Sequence, residues 1–144
     1  MNRRFAIKTI LGSVFTLTSI SSMNVLANIM GKLKAVDAIN DITGGTHSAS
    51  NKLIVNLPKL AENGAQVPVS VDATRLNGVK SIYLIVHENQ KPVAMQVDFE
   101  SADALAYAGF RVKMGAPTKV TAIAKTESGF VSATGHTKVT KGGC

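Results

Sequence analysis

Thiols, imidazoles and paired carboxylates are the side chains from which covalent, metal or acid–base chemistry is usually built. This chain of 144 residues offers one cysteine, Cys144, and three histidines, His47, His87 and His136. Two histidines and a thiol on a β scaffold could hold copper, but such sites normally place a His, and often a Met, after the Cys in the same loop. Here the sequence stops at Cys144, and the histidines are scattered, His47 in a polar stretch, His87 beside Glu88 and His136 eight residues before the cysteine. Lone histidines are usually neither ligands nor catalysts, so no metal site is expected. Glu62, Asp72, Glu88, Asp98, Glu100, Asp103 and Glu127 sit mainly at expected strand ends and turns, where solvated or turn-capping roles are the rule. There is no Gly-x-Ser-x-Gly elbow, phosphate loop, Cys-x-x-Cys or His-Glu-x-x-His. The expectation is a protein with no catalytic residues and no cofactor of its own.

The chemistry that remains is at the tail, Lys138-Val139-Thr140-Lys141-Gly142-Gly143-Cys144. Gly142 and Gly143 carry no side chain and have the widest backbone freedom, so the segment reads as a tether presenting one sulfur. From Val139 to Cys144 it reaches at most about 17 Å when extended. A frayed terminus that happens to end in Cys is the bland alternative, and the hazard of an exposed free thiol in an exported protein argues against it. A peroxide or disulfide enzyme would need a fixed base or a resolving cysteine. His136 is the one candidate base, and a mobile thiol meets it only occasionally.

The elements that must position this tail begin with an export signal. Met1 to Arg4 is basic, Phe5 to Ile20 mostly apolar, and Ser21 to Ala27 small and polar, which predicts cleavage after Ala27 and a destination in the periplasm. A membrane anchor is not expected, because Lys8 shortens the apolar run below the roughly 20 residues needed to span a bilayer. Arg3-Arg4-Phe5-Ala6-Ile7-Lys8 is similar to the twin-arginine signal, which exports folded proteins. The whole chain carries +7. Without Arg3, Arg4 and Lys8 the bias is mild, and with no Lys/Arg cluster it suits an anionic small molecule or partner better than nucleic acid.

Residues 28–50 are expected to form a short helix and a linker. Leu33, Val36, Ile39 and Ile42 make an apolar stripe at steps of three, Gly44-Gly45 stops it, and Thr43 to Ser50 is small and polar. From Asn51 the period becomes two. Strands are predicted at Lys52 to Leu57, Gln66 to Asp72, Val79 to Glu88, Pro92 to Phe99, Tyr107 to Gly115, Thr118 to Lys125 and Gly129 to Thr137. Glu62-Asn63-Gly64, Asn77-Gly78, Gln90-Lys91-Pro92, Gly115-Ala116-Pro117 and Ser128-Gly129 supply the turns. Alternation predicts a core of Leu53, Val55, Leu57, Val67, Val69, Val71, Ile82, Leu84, Val86, Met95, Val97, Phe99, Phe110, Val112 and Met114, with one face of each sheet buried and the other wet. Tyr83, Phe99, Tyr107, Phe110 and Phe130 are expected in the core rather than as a base-stacking platform. The fold class is therefore all-β, an immunoglobulin-like antiparallel sandwich over residues 51–138, with a short N-terminal helix and a flexible C-terminal arm at 139–144. A small barrel is the second choice.

Three segments resemble the SoxY family, the sulfur-carrier subunits of the periplasmic thiosulfate-oxidising system. They are Ala61-Glu62-Asn63-Gly64-Ala65-Gln66-Val67-Pro68-Val69-Ser70-Val71, the strand Ser81-Ile82-Tyr83-Leu84-Ile85-Val86-His87-Glu88-Asn89 leading to Pro92, and Val139-Thr140-Lys141-Gly142-Gly143-Cys144. The resemblance implies that Cys144 carries thiosulfate or a related sulfur anion covalently on an arm made mobile by Gly142 and Gly143, with Lys138 and Lys141 as anion support. It also implies a heterodimer with a SoxZ-like β-sandwich subunit, and service to haem-containing and hydrolytic partner enzymes. The family's arm ordinarily ends Gly-Gly-Cys-Gly-Gly. Ending at Cys144 would set a carboxylate beside the thiol, which Lys138 and Lys141 oppose. The alternative is an exported β-sandwich that adds a partner's strand to a free edge and carries no covalent cargo.

Overall fold

The computed structural model describes residues 33–101 and 103–140, which form one helix and nine strands in two stacked sheets. The helix, α1, covers residues 33–43. It stops where Gly44 and Gly45 take φ of 66° and 84°, a left-handed conformation that other residues adopt at a cost.

All seven predicted strands are present, and two more were not foreseen. The smaller sheet has the order β2-β4-β7, joining Ile54–Asn56, Val67–Asp72 and Tyr107–Val112 antiparallel. The larger has the order β1-β9-β8-β5-β6. Its main strands are β5 (Val79–Val86), β6 (Val93–Asp98), β8 (Thr118–Thr126) and β9 (Gly129–Val139), each antiparallel to its neighbour. The two additions, β1 (Ser48–Ala49) and β3 (Leu60–Ala61), lie parallel to β9 and pair with its beginning and its end. The stretch read as a linker thus contains a strand.

The inner faces bury most of what alternation predicts, Val97 on β6 being part-buried and outside the core cluster. Val67, Val69, Val71, Ile82, Leu84, Val86, Val112 and Met114 are buried between the sheets, and Val55, Leu57, Met95, Phe99 and Phe110 pack around them. The outer face of the larger sheet is not wet throughout, contrary to expectation. Strand β8 is buried on both faces from Val120 to Ala124, because α1 lies across it. Ala35 and Ile39 pack on Ile85 and Ile123, flanked by Ile42, Tyr83 and Phe130. The expected stripe on α1 is rotated as a result, and Leu33 and Val36 stand 56% and 48% exposed. An i, i+4 pair presented by Ala35 lets the helix approach the sheet closely, whereas steps of three drift round the cylinder. Among the aromatics Tyr107 departs from expectation, being exposed.

Candidate functional site

The tail is held at its root by a ledge made of residues 58–64. Thr137 Oγ1 donates to the Pro58 carbonyl at 2.7 Å. The backbone N–H groups of Lys138 and Thr140 donate to the carbonyls of Lys59 and Ala61, each at 3.0 Å. Val139 turns inward onto the core. The bend in this ledge is Asn63-Gly64, with Asn63 Oδ1 accepting from the Ala65 N–H at 2.9 Å, an Asx turn of the kind Asn favours. The Met114 N–H donates to the Gly64 carbonyl at 2.7 Å. A Cβ on residue 64 would lie 2.7 Å from Val139 Cγ1 and nearer still to the Met114 carbonyl oxygen. Glycine is required there by close approach, not by φ. Val139 and Thr140, which the sequence assigned to the arm, are fastened to the sandwich. Lys141, Gly142, Gly143 and Cys144 lie outside the described residues, as does the expected export signal at 1–27.

Beside the ledge, the outer face of the larger sheet carries a row of nitrogen-bearing side chains. The β8–β9 register sets Lys119 opposite His136, and the His87 N–H donates to the Lys119 carbonyl at 3.0 Å. His87, Lys119 and His136 therefore lie side by side across three adjacent strand positions, and Lys138 follows two residues on along β9. These four, with Lys59 and Glu88, line a depression of about 800 Å³ whose rim includes Val36 of α1. Lysines outnumber carboxylates in its lining three to one.

His87 is the buried member of the row. Its Nε2 shares a hydrogen bond with Thr121 Oγ1 at 2.9 Å, and Thr121 Oγ1 shares another with Thr134 Oγ1 at 3.1 Å. Burial, followed by the charges of Lys119 and His136, holds its pKa below the usual imidazole value, which favours the neutral ring. His136, Lys119, Lys138 and Lys59 are exposed. His47 Nδ1 is 2.9 Å from Ser132 Oγ, farther back along β9. The three histidines do not converge, and among the described residues no group of three or more His, Cys, Asp and Glu could hold a metal.

Two carboxylates follow the turn-and-strand-end pattern. Asp72 accepts from the Thr74 hydroxyl at 2.6 Å and the Thr74 N–H at 2.9 Å, and these bonds lower its pKa. Asp98 accepts from Ser81 Oγ at 2.6 Å and from Gln96 Nε2, which lowers its pKa likewise.

Of the expected site residues, Lys138 is the one within the described range, and it joins the row. Sequence reading left Lys119, Lys59 and His87 unassigned. A signal for Lys119 existed: the two-residue turn Glu127-Ser128 pairs Thr126 with Gly129, and counting back from it sets Lys119 against His136. The approach of His87 and Lys59 depends on non-local pairing that no local pattern encodes.

Comparison with known proteins gives a match to the family model described as sulfur oxidation protein SoxY, over residues 39–144. No curated protein sequence matches. Among solved structures, the sulfur carrier protein SoxY from Chlorobium limicola f thiosulfatophilum superimposes with a TM-score of 0.70 at 22% identity, covering 80% of this chain and 99% of that one. A superoxide reductase (neelaredoxin) from Ignicoccus hospitalis gives 0.55 at 20% identity, covering 66% and 82%. At these identities the superpositions establish a common fold. The family match spans both the ledge and the tail.

Proposed function

Because the chain belongs to the SoxY family of sulfur oxidation proteins, we propose that it is an exported carrier, holding thiosulfate-derived sulfur covalently on Cys144. The observation that carries this reading is the reach of the family match through the last residue, past a strand that the ledge at 58–64 fastens as far as Thr140. A rigid root followed by Gly142, Gly143 and a thiol is the construction a presenting arm needs. Loading joins the Cys144 thiol to the sulfane sulfur of thiosulfate. An S–S bond forms, a proton and two electrons leave, and the product is Cys–S–S–SO₃⁻. The electrons pass to a haem-containing partner, which owns the redox chemistry. Water then cleaves the terminal S–S bond in a hydrolytic partner, releasing sulfate and leaving a persulfide on Cys144. This chain holds the cargo while those sites act on it. A SoxZ-like subunit is its expected heterodimer partner, and the periplasm, after cleavage behind Ala27, its compartment.

Intact-mass spectrometry tests the assignment. In the presence of thiosulfate and the partner enzymes the wild-type chain gains the mass of a thiosulfonate, and Cys144→Ser gains none. Equal adducts on both chains overturn it. An interaction module without cargo shows no adduct on either.

A further inference from the structure

We propose that Asn77-Gly78, in the turn between β4 and β5, is a site of spontaneous covalent modification, where the asparagine converts to aspartate and isoaspartate. The same dipeptide at Asn63-Gly64 is shielded from this reaction by the ledge. The inference stands apart from the carrier reading. Asparagine is lost when the backbone nitrogen of the next residue attacks its side-chain amide carbon, and a glycine there removes the Cβ that would hinder the approach. The chain contains Asn-Gly twice, at 63–64 and at 77–78. Local sequence makes the two equally labile, so the fold decides between them. At Asn63, ring closure turns the peptide toward the side chain. That motion swings the Gly64 carbonyl off the Met114 N–H, a bond of 2.7 Å. It also drags the Gly64 Cα through a seam so tight that a Cβ there would stand 2.7 Å from Val139 Cγ1. The Asn63 side chain is itself tied, its Oδ1 accepting from the Ala65 N–H at 2.9 Å. Asn77 is exposed, and among the described residues no hydrogen bond holds its side chain. The neighbour of the Gly78 Cα is the side chain of Glu127, which is exposed and free to swing aside. An exposed turn of this kind opens at the least cost.

The reaction needs only water. The Gly78 nitrogen gives its proton to solvent and bonds to the Asn77 side-chain carbon, the C–NH₂ bond breaks, and ammonia leaves with a proton taken from water. Water then opens the resulting succinimide at either carbonyl, and nothing is oxidised or reduced. The product places a new carboxylate near Glu127 and Glu100, which with Gly78 line a recess at the end of the sandwich away from the tail. Ageing of the chain is thereby directed to the β4–β5 turn, and the bend that fastens the root of the tail is spared.

The test incubates the full mature chain in mildly alkaline buffer and follows it by tryptic peptide mapping with mass spectrometry. Cleavage after Lys59, Arg75 and Lys80 puts Asn63 and Asn77 on separate peptides, 60–75 and 76–80. The expected result is the mass change of an amide exchanged for a carboxyl on 76–80. Conversion on 60–75 is expected to be at least about tenfold slower, because closure there waits for the ledge to open. In guanidinium chloride, which removes the ledge, the two peptides convert at similar rates. Val139→Ala keeps both dipeptides and thins the seam, so it speeds conversion on 60–75 and leaves 76–80 unchanged. Circular dichroism checks that this variant folds. Equal rates on the two peptides of the native chain, or a native chain inert at Asn77 while the denatured chain converts both, overturns the proposal. A folded Val139→Ala chain that converts Asn63 no faster than wild type overturns the shielding by the ledge.

Discussion

At the scale of single residues, His87 ties stability to pH. Its neighbours are Lys119 and His136 across the row, Glu88 next in sequence, and Lys138 and Lys59 across the depression. Its pKa is lowered in the folded chain, first by burial and then by Lys119 and His136. The unfolded chain therefore takes up a proton near pH 6.5 that the folded chain refuses, and stability falls as pH drops below about 6.5. His87→Gln, which keeps a hydrogen-bonding partner for Thr121, is expected to flatten that part of a plot of melting temperature against pH. A profile equally steep in the variant would contradict the argument. Asp72 and Asp98 act in a different window. Their pKa values are lowered by hydrogen bonds from Thr74 and Ser81 respectively, so their stabilisation is present above about pH 4 and disappears in stronger acid. A two-stage acid profile follows, with His87→Gln affecting the upper stage.

At the scale of elements, the ledge and β9 depend on each other through Gly64. Gly64→Ala must displace the Met114 carbonyl or Val139, and forcing a methyl into a packed seam costs about 1–3 kcal/mol. Urea denaturation would read this loss, and hydrogen exchange at the Thr140 amide would quicken as its bond to Ala61 loosens. Gly115→Ala is the control. Open space surrounds that position, and a stability change within about 0.5 kcal/mol is expected. These contacts also explain what could be read from sequence and what could not. Strands β4 and β7 announce themselves because five or more residues alternate between inner and outer faces, as Val67, Val69 and Val71 do on β4, whereas β5 and β8 are buried on both faces over much of their length and are marked by their apolar runs between turn residues. Strands β1 and β3 have two residues each and exist only as partners of β9, more than 75 positions away, so neither has a period to detect. Asn63-Gly64 was legible as a turn. Its contact with Val139 was not, because that contact belongs to the folded chain's geometry and leaves no local signature.

At the scale of the molecule, α1 converts a two-layer sandwich into three layers over part of its area. Ile85 and Ile123 are fully buried beneath it, each stabilising the fold by about 1.5–3 kcal/mol relative to exposure. Ile123→Ala is expected to cost about 2–5 kcal/mol by calorimetry or chemical denaturation, whereas Leu33→Ala, on the open side of the helix, should change stability by less than about 0.5 kcal/mol. Equal losses would mean that α1 does not cover the sheet. The existence of α1 and its stop at Gly44-Gly45 were legible, as was the inward side of Ile39 and Ile42, but Leu33 and Val36 were placed inward where Ala35 stands, since Ala35 contributes little to a hydropathy stripe and much to close packing. The placement of β9 between β8 and the parallel pair β1 and β3 also has a mechanical side. A pull applied beyond Thr140 would enter along the axis of β9. It then spreads as shear over the ladder running from Thr118↔Thr137 to Thr126↔Gly129, with β3 sharing it at the point of entry. Shear loads many hydrogen bonds at once where peeling would load them singly, so the body of the protein resists a pull in this direction better than one across the sheet.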